Sequence, residues 1–340
     1  MPTKNLTLII PGIFESLAKG ERKINGLKSL EMLLVKSDRE KYPADSLYQC
    51  MLDLFDIDSS SPAYLPVAAL SRFSDTGKRD PGIWMHIDPL YLETDKDRLI
   101  SRGNSILDIS NDEATVLIDL LNQTYVNEGW YFESCHANRW YVHIRQQPES
   151  EFSAPTDVLG RNIETFLPKG NDQMDWHKFM NEVQMLFHSS TVNRQRMENG
   201  VYPINSIWCW GAGPLPEQVS TGLDRVYANV PFVKGLAMLS GCEHHSLPEN
   251  AHAVIKSLAR SERDIDCLVV IEPTEEDILS LDFEHYKDKL NMLEREWFQP
   301  LVHGMEKGYL SSLSLLACNG LKYSLKKKYL RRFWRRRKAI

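Results

Sequence analysis

The stretch Thr191–Pro214 constrains the fold of this chain more than any other. Its centre, Ile204–Trp210, is a short apolar run bounded by turn residues, which predicts a buried strand. The segment Gly211–Pro214 then predicts a sharp turn, and Asn193–Gly200 predicts a polar turn ahead of the strand. In open α/β sheets, ligands gather beyond the carboxyl ends of strands. The sequence therefore predicts a ligand site beside this glycine turn.

Length and composition indicate a globular α/β protein. The 340 residues, of which 42% are hydrophobic and 25% charged, suit one large domain with an insert. No apolar run approaches the roughly 18 residues of a membrane-spanning helix. The N-terminus lacks the pattern of a signal peptide, and the six cysteines are scattered without a C-x-x-C pair. We therefore expect a cytoplasmic protein with reduced thiols.

The same stretch carries a family resemblance. Within Asn193–Gly213, the pattern N-x-x-R, G, P, N-S-I-W-x-W-G-x-G resembles a segment of archaeal-type cofactor-independent phosphoglycerate mutases. Those enzymes belong to the alkaline phosphatase superfamily. The W-C-W centre, Trp208–Trp210, is more similar still to a bacterial group of RpfE-type regulatory proteins.

The resemblance implies an α/β fold with a three-layer, alkaline-phosphatase-like core sheet and a small α+β insert. It assigns residues 1–90 and 171–340 to the core and residues 91–170 to the insert. It also implies that four segments are neighbouring strands of one sheet: Leu6–Ile10, Ile204–Trp210, Cys267–Ile271 and Ser312–Cys318.

The residues that the family uses for chemistry are missing from the matching positions. The mutase reaction needs a serine nucleophile and two divalent metals held by Asp and His at several strand ends. Those positions here are Pro11, Leu65–Pro66, Glu272–Asp277 and Ala317–Gly320, while Ser59–Ser61 stand several residues upstream and suit a turn. We therefore predict no catalytic residue, no metal and no cofactor. The alternative is an active metal-dependent mutase or phosphatase whose ligands stand elsewhere.

The residues that remain suit an anion. Asp157 and Arg161 belong to a segment that resembles the family's T-D-P-H-x-x-G-K-P, and guanidinium groups suit phosphate and carboxylate. The alternative is that Asn193, Arg194 and Asn205 form a structural network under the glycine turn. The predicted ligand-binding residues are Asp157, Arg161, Asn193, Arg194, Arg196, Asn205, Gly211 and Gly213.

Two histidine patterns have a structural and a functional interpretation. His86 and Asp88 are two apart on a predicted strand and therefore share a face, which could orient an imidazole for catalysis. A buried polar pair is the favoured interpretation. Cys242 and the adjacent His244 and His245 suggest zinc, but their spacing is unlike that of a structural zinc site. A polar loop is favoured there.

These observations favour a catalytically degenerate, mutase-like protein that regulates or binds a phosphorylated or anionic small molecule. The net charge of −6 argues against a dedicated nucleic-acid binder. Nine of the thirteen residues from Lys326 to Lys338 are basic, which keeps open a weak contact of this tail with nucleic acid or another anion. A solvated tail is favoured, so deleting residues 331–340 is predicted to leave folding nearly intact. The sequence names no protein partner.

Overall fold

The computed structural model describes residues 2–14, 24–58, 65–279, 283–332 and 334–335. Two compact units divide the chain: unit 1 comprises residues 1–58 and 218–340, and unit 2 comprises residues 59–217. Ser59–Ser61 lie outside the described residues. Among the described residues, no helix is long and apolar enough to cross a membrane.

The strands and the α-helices are numbered separately, each in chain order. The strands are β1 (Lys4–Ile9), β2 (Asp38–Lys41), β3 (Ile83–Leu90), β4 (Leu92–Asp95), β5 (Arg98–Ser101), β6 (Tyr131–His136), β7 (Arg139–Ile144), β8 (Ser150–Glu151), β9 (Lys169–Gly170), β10 (Ser206–Pro214), β11 (Arg225–Tyr227), β12 (Glu243–His245), β13 (Ile265–Val270), β14 (Ser312–Leu316) and β15 (Leu321–Lys326). The α-helices are α1 (Lys28–Lys36), α2 (Leu47–Leu54), α3 (Val67–Thr76), α4 (Asn111–Thr124), α5 (Pro155–Val158), α6 (Gln173–His188), α7 (Thr191–Glu198), α8 (Pro231–Ser240), α9 (Ala251–Ala259), α10 (Glu275–Leu279), α11 (Phe283–Leu293) and α12 (Gln299–Lys307).

Unit 1 is built around a seven-stranded mixed sheet in the order β12-β11-β13-β1-β14-β15-β2. β1 lies between β13 and β14 and runs parallel to both, with Leu8 opposite Val269 on one side and Leu315 on the other. Leu8 and its two partners are buried in one hydrophobic core with residues of α1, α9 and α12. A central parallel strand needs such an apolar sequence because helices cover it.

The start of α1 depends on a residue far along the chain. Its N-cap residue, Leu27, has an apolar side chain that cannot accept a hydrogen bond from the helix. The Glu294 carboxylate does so instead, accepting from the backbone N–H of Ser29 (2.6 Å) and of Leu30 (3.0 Å). A carboxylate at a helix N-terminus satisfies free N–H groups and complements the helix dipole. This contact fixes α1 to the helical segment that contains α11 and α12.

Unit 2 is built around a four-stranded antiparallel sheet in the order β10-β3-β7-β6. Met85 of β3 is buried with residues of α4 and α6 in a large hydrophobic core. The adjacent Trp84 belongs to a smaller core with Tyr141 of β7 and with Ala68 of α3. Because neighbouring residues of a strand point to opposite faces, the two cores lie on the two sides of this sheet.

One predicted strand belongs to a different sheet. The predicted segments Leu6–Ile10, Cys267–Ile271 and Ser312–Cys318 overlap β1, β13 and β14, which are neighbours as predicted. The fourth segment, Ile204–Trp210, instead leads into β10 of unit 2, which pairs with β3, so the prediction of four neighbouring strands was wrong. An apolar run indicates a buried strand but does not specify the sheet that buries it. The segment between the two parts of unit 1 comprises residues 59–217, and the division into a core of residues 1–90 and 171–340 with an insert of residues 91–170 stays a prediction.

The local structure around β10 also differs from the prediction. Asn193–Gly200 was predicted as a turn, but most of it is helix α7, whose N-cap Ser190 accepts from the N–H of Asn193. The predicted glycine turn is part of β10, which continues to Pro214 with a register shift between Trp210 and Gly213. Gly211 has a φ of +66° and lies within that shift. Glycine thus produces a bulge inside the strand rather than its end.

The described part of the basic tail docks on the C-terminal end of α1. The Arg332 guanidinium donates to the carbonyl of Lys36 (2.9 Å) and to the carboxylate of Asp38 (2.7 Å). Arg335 donates to the carbonyl of Ser37 (2.7 Å). A cation at the end of a helix meets carbonyl groups that have no helical partner. These two arginines therefore bind another segment of their own unit, in contrast to the predicted solvated tail.

We expect Arg332→Ala to lower the melting temperature more than Arg331→Ala, because Arg331 is exposed and Arg332 holds the end of α1. The hydrogen bond from Arg332 also holds the pKa of Asp38 below its ordinary value. The stabilisation that this contact gives to the folded protein is present at neutral pH and is lost as the pH falls through the lowered pKa of Asp38. Thermal unfolding of both variants at pH 7 and in acid measures it. Equal melting temperatures at pH 7 would show that the docking contributes nothing.

Candidate functional site

Asn193 is fully engaged by the backbone around it. The side chain is buried and its amide nitrogen donates to the carbonyls of Phe187 (2.9 Å) and Ile204 (2.7 Å). The amide oxygen accepts from the N–H of Ile204 (2.8 Å). These bonds join the end of α6 to the segment that enters β10. Asn193 thus has a structural role, as the alternative interpretation expects. The network differs from the expected one, because these contacts include neither Arg194 nor a glycine turn.

Arg196 is likewise buried, with a side chain that is 4% exposed. The guanidinium donates to the carbonyl of Tyr202 (2.7 Å), to the Glu113 carboxylate (2.7 Å) and to the carbonyl of Leu107. These partners stand at the start of α4 and in two separate loops of unit 2. A guanidinium whose donors meet a carboxylate and two carbonyls fixes the segments that carry them.

Asn205, just before β10, pairs with the backbone of Leu92 in β4. Its amide oxygen accepts from the N–H of Leu92 (2.8 Å), and its amide nitrogen donates to the carbonyl of the same residue (2.8 Å). Such a two-bond contact imitates a strand pair and orients the β4–β5 hairpin. Asn205 therefore has a structural partner for both ends of its amide.

The other predicted polar residues lie apart from these networks. Arg194 and Arg161 are exposed, and among the described residues the guanidinium of Arg194 forms no hydrogen bond or ion pair. Arg161 lies 5.8 Å from the ring centroid of Phe166. Asp157 belongs to the short helix α5. The structure thus leaves two exposed arginines as the predicted cations that a ligand can reach.

Gly211 and Gly213 allow α3 to approach β10. A Cβ atom on Gly213 would lie 3.0 Å from the Cα of Pro66, and one on Gly211 would lie 3.1 Å from the Cβ of Val67. Backbone and β-branched atoms at those distances have little room to move. The two glycines therefore serve a helix–strand contact at the first turn of α3.

The carboxyl ends of the central strands of unit 1 meet at one edge of the seven-stranded sheet. The N–H of Gly12 donates to the carbonyl of Ala317 (3.4 Å), and the N–H of Ile271 donates to the carbonyl of Ile9 (2.9 Å). Ligand sites of open α/β sheets lie at such an edge. Pro11 also stands there, at the end of β1, and its side chain has no donor or acceptor atom.

The side chains that the structure describes at this edge do not fit two metal ions. Among the described residues, no three His, Cys, Asp or Glu side chains are grouped so that they could hold a metal. Asp277, from the predicted acidic segment, already accepts from Lys289 (2.7 Å) and from the N–H of Thr274 (2.8 Å), and its other oxygen lies 3.2 Å from Nε2 of His285. Burial opposes ionisation, but the bonds from Lys289 and Thr274 hold the pKa of Asp277 below its ordinary value.

His244 and His245 do not converge on one point. Nε2 of His244 lies 3.0 Å from the carbonyl oxygen of Ala228, and Nε2 of His245 lies 2.7 Å from the Glu243 carboxylate. The two histidines are neighbours on β12, so their side chains point to opposite faces. This agrees with the polar interpretation of the segment.

His86 and Asp88 share a face of β3, as the sequence predicts. Nδ1 of His86 lies 3.5 Å from Oδ1 of Asp88, and the imidazole stacks on Trp210 with 4.5 Å between ring centroids. Trp210 donates from Nε1 to Oδ2 of Asp88 (2.7 Å). His86 is 2% exposed, and within the described part of the chain neither of its ring nitrogens forms a hydrogen bond. Among residues 2–14, 24–58, 65–279, 283–332 and 334–335, no hydroxyl or thiol forms a hydrogen bond with this imidazole, which favours the buried-pair interpretation.

Asp75 of α3 is a buried hub that the sequence does not reveal. Its carboxylate accepts two bonds from Arg139 (2.8 and 2.9 Å) and one from the hydroxyl of Tyr141 (2.8 Å). Nε2 of His136 lies 3.4 Å from it. All three partners come more than sixty residues later in the chain, and no short motif marks such a contact. The hub holds α3 against β6 and β7.

Curated proteins similar to this chain are 2,3-bisphosphoglycerate-independent phosphoglycerate mutases. The chain is 29% identical over 144 residues to the one from Methanosarcina mazei, a match that covers 40% of this chain and 36% of that protein. It is 26% identical over 166 residues to the one from Methanothrix thermoacetophila, covering 45% of this chain and 42% of that protein. The chain therefore spans less than half the length of these relatives, and no family model matches it.

The likeness of the fold extends further than the likeness of the sequence. The PH0037 protein from Pyrococcus horikoshii has a similar structure, with a TM-score of 0.52 and 12% identity over 96% of this chain and 88% of that one. The central, largely parallel sheet and its helices are consistent with the alkaline-phosphatase-like fold of cofactor-independent phosphoglycerate mutases. The predicted α/β fold class is thereby confirmed.

Proposed function

We propose that this chain is a catalytically degenerate relative of the cofactor-independent phosphoglycerate mutases that regulates a process by binding a phosphorylated or anionic metabolite. One observation carries the proposal. The strand ends of unit 1 bear Pro11, Glu272 and Ala317–Asn319, and among the described residues no side chains are grouped to hold a metal. A framework that keeps its sheet but has no grouped metal donors in the part of the chain that the structure describes suits binding rather than phosphoryl transfer.

The physical chemistry of phosphoryl transfer supports this assignment. Metal ions screen the charge of the phosphate and lower the pKa of the nucleophile. Each of these effects stabilises the transition state by roughly several kcal/mol. A ligand set for two ions must come from several strand ends at once. Glu272 and Asp277 come from one segment, and Asp277 is already bound by Lys289 and Thr274.

The proposed ligand contacts are the exposed arginines of unit 2. Arg161 and Arg194 have guanidinium groups that solvent reaches, and such groups form paired hydrogen bonds with phosphate and carboxylate. Asn193, Arg196 and Asn205 position the surrounding segments through their backbone bonds. The resemblance of Trp208–Trp210 to RpfE-type regulatory proteins and the six free cysteines support a cytoplasmic regulatory role.

The proposal predicts a ligand-dependent thermal shift that depends on Arg194. Purified protein is screened against 3-phosphoglycerate, phosphoenolpyruvate and inorganic phosphate. A ligand at a hundred times its Kd stabilises the folded state by about 2.7 kcal/mol. We expect Arg194→Ala to abolish the shift while leaving the melting temperature without ligand unchanged, because this side chain has no described partner.

Lys178→Ala is the matched control, since Lys178 is an exposed cation on the neighbouring helix α6. It is expected to keep the shift in full. Absence of a shift with every phosphorylated compound would refute the binding function, and an equal shift in Arg194→Ala would remove Arg194 from the site. An active mutase is the second candidate, favoured by the names of the curated relatives.

A further inference from the structure

Two cysteines that are distant in the sequence meet at the carboxyl edge of the unit 1 sheet. The sulfur atoms of Cys50 and Cys318 lie 3.7 Å apart, although 268 positions separate them in the chain. Cys50 lies in α2 and is buried, whereas Cys318 follows β14 and is half-buried. The sequence indicates no role for these cysteines beyond that of reduced thiols, and the proposed ligand site does not use them.

The backbone on both sides of the pair is fixed by other bonds. The N–H of Tyr42 donates to the carbonyl of Gly320 (2.9 Å), and its hydroxyl donates to the carboxylate of Asp53. Asp53 belongs to α2, one turn after Cys50, and Gly320 is two residues after Cys318. Tyr42 therefore ties the segment after β14 to the helix that carries the other thiol. The two sulfurs are held near each other without a covalent bond.

The conformation of Cys318 supports this view. Its φ is +54°, in the left-handed region that residues other than glycine, asparagine and aspartate rarely adopt. Such a conformation persists only where the surrounding structure imposes it, and it is common at functional positions. The constrained backbone of Cys318 sets the position from which its side chain reaches the sulfur of Cys50.

We propose that Cys50 and Cys318 are a reversible dithiol–disulfide pair, oxidised by a hydroperoxide and reduced by a dithiol. Bond formation requires the two sulfurs to approach from 3.7 Å to about 2.05 Å, which side-chain rotation and a small backbone adjustment supply. The disulfide would join the end of β14 covalently to α2. The redox state would thereby rigidify the sheet edge at which α/β proteins bind ligands.

Cys318 is the thiol that reacts first, because it is the accessible member of the pair. The contact with Cys318 and burial hold the pKa of the Cys50 thiol above its ordinary value, so Cys50 is a poor first nucleophile. The Cys318 sulfur attacks the O–O bond of hydrogen peroxide, an S–O bond forms, and one water leaves. The Cys50 sulfur then attacks the Cys318 sulfur, the S–O bond breaks, and a second water carries away the remaining proton. Two thiols have lost two electrons, and the peroxide has gained them.

The experiment treats the reduced full-length protein with hydrogen peroxide, blocks the remaining thiols, and maps the peptides under non-reducing conditions. We expect a cross-linked peptide that contains Cys50 and Cys318, and a loss of mass equal to one hydrogen molecule that dithiothreitol reverses. Cys318→Ser and Cys50→Ser should both lose this peptide. Cys267→Ser is the control, because Cys267 is buried in β13 of the same unit, and it should keep the peptide.

Alkylation of the unmodified protein provides a second measurement that does not depend on the folding of any variant. Iodoacetamide should label Cys318 before oxidation, and oxidation should protect it in step with the cross-linked peptide. Oxidation of Cys318 that stops at the sulfinic acid without a cross-link would overturn the proposal. So would a disulfide of Cys318 with any cysteine other than Cys50.

Discussion

Purified protein is expected to show no metal-dependent turnover of 3-phosphoglycerate or of a generic phosphatase substrate with manganese, zinc, cobalt or magnesium. Pro11 and Ala317 stand at strand ends where this chemistry needs carboxylate or imidazole donors, and Asp277 is bound by Lys289. Among the described residues, the remaining donors do not surround two ions from several sides. Even small misplacements of reacting groups cost about a hundredfold in rate, so isolated carboxylates do not restore it.

The assay requires a curated mutase relative measured under the same conditions, so that the metals and the coupling system are known to work. A chelator distinguishes a metal-dependent rate from background. Turnover that disappears with the chelator, together with two stoichiometric metals in the purified protein, would establish the enzyme instead. Substitution of Ser59, Ser60 and Ser61 by alanine would then locate a nucleophile in the segment outside the described residues.

Features that depend on neighbouring residues could be predicted from the sequence. β1, β13 and β14 are short apolar runs bounded by turn signals, and each overlaps the predicted segment, although β1 and β13 begin two residues earlier. Asn319–Gly320 predicts a hairpin, and β14 and β15 do pair antiparallel on either side of it. The His86–Asp88 pair shares a face because the side-chain period of a strand is two.

Features that depend on distant residues could not be predicted. The apolar run of β10 is compatible with a buried strand in either the seven-stranded or the four-stranded sheet. Its pairing with β3 places it in the four-stranded sheet. Asn205 resembles a ligand residue in the motif, but its amide is bound to the backbone of Leu92, which lies 113 positions earlier. Arg196 and Arg194 look alike in the sequence, and their burial separates a structural cation from an exposed one.

Arg196→Ala is expected to have the largest effect on stability among the predicted site residues. The substitution leaves the carbonyls of Tyr202 and Leu107 without their donor, and it removes the partner of the Glu113 carboxylate. Removing the buried guanidinium costs about 3 kcal/mol, because the two carbonyls left without a donor are away from water. Equilibrium denaturation with urea measures the loss in the free energy of unfolding.

Arg194→Ala is the matched control for this measurement, since both arginines lie on α7 and only Arg196 is buried. An exposed side chain without partners changes the free energy of unfolding by about 0.5 kcal/mol at most. Burial opposes ionisation of Glu113, but bonds from Ser110 and Arg196 hold its pKa below the ordinary value. The wild-type protein therefore has a higher free energy of unfolding than Arg196→Ala at neutral pH. This difference shrinks as the pH falls through the lowered pKa of Glu113. Equal losses in the two variants would show that the contacts of Arg196 do not hold unit 2 together, and that burial alone does not distinguish these arginines.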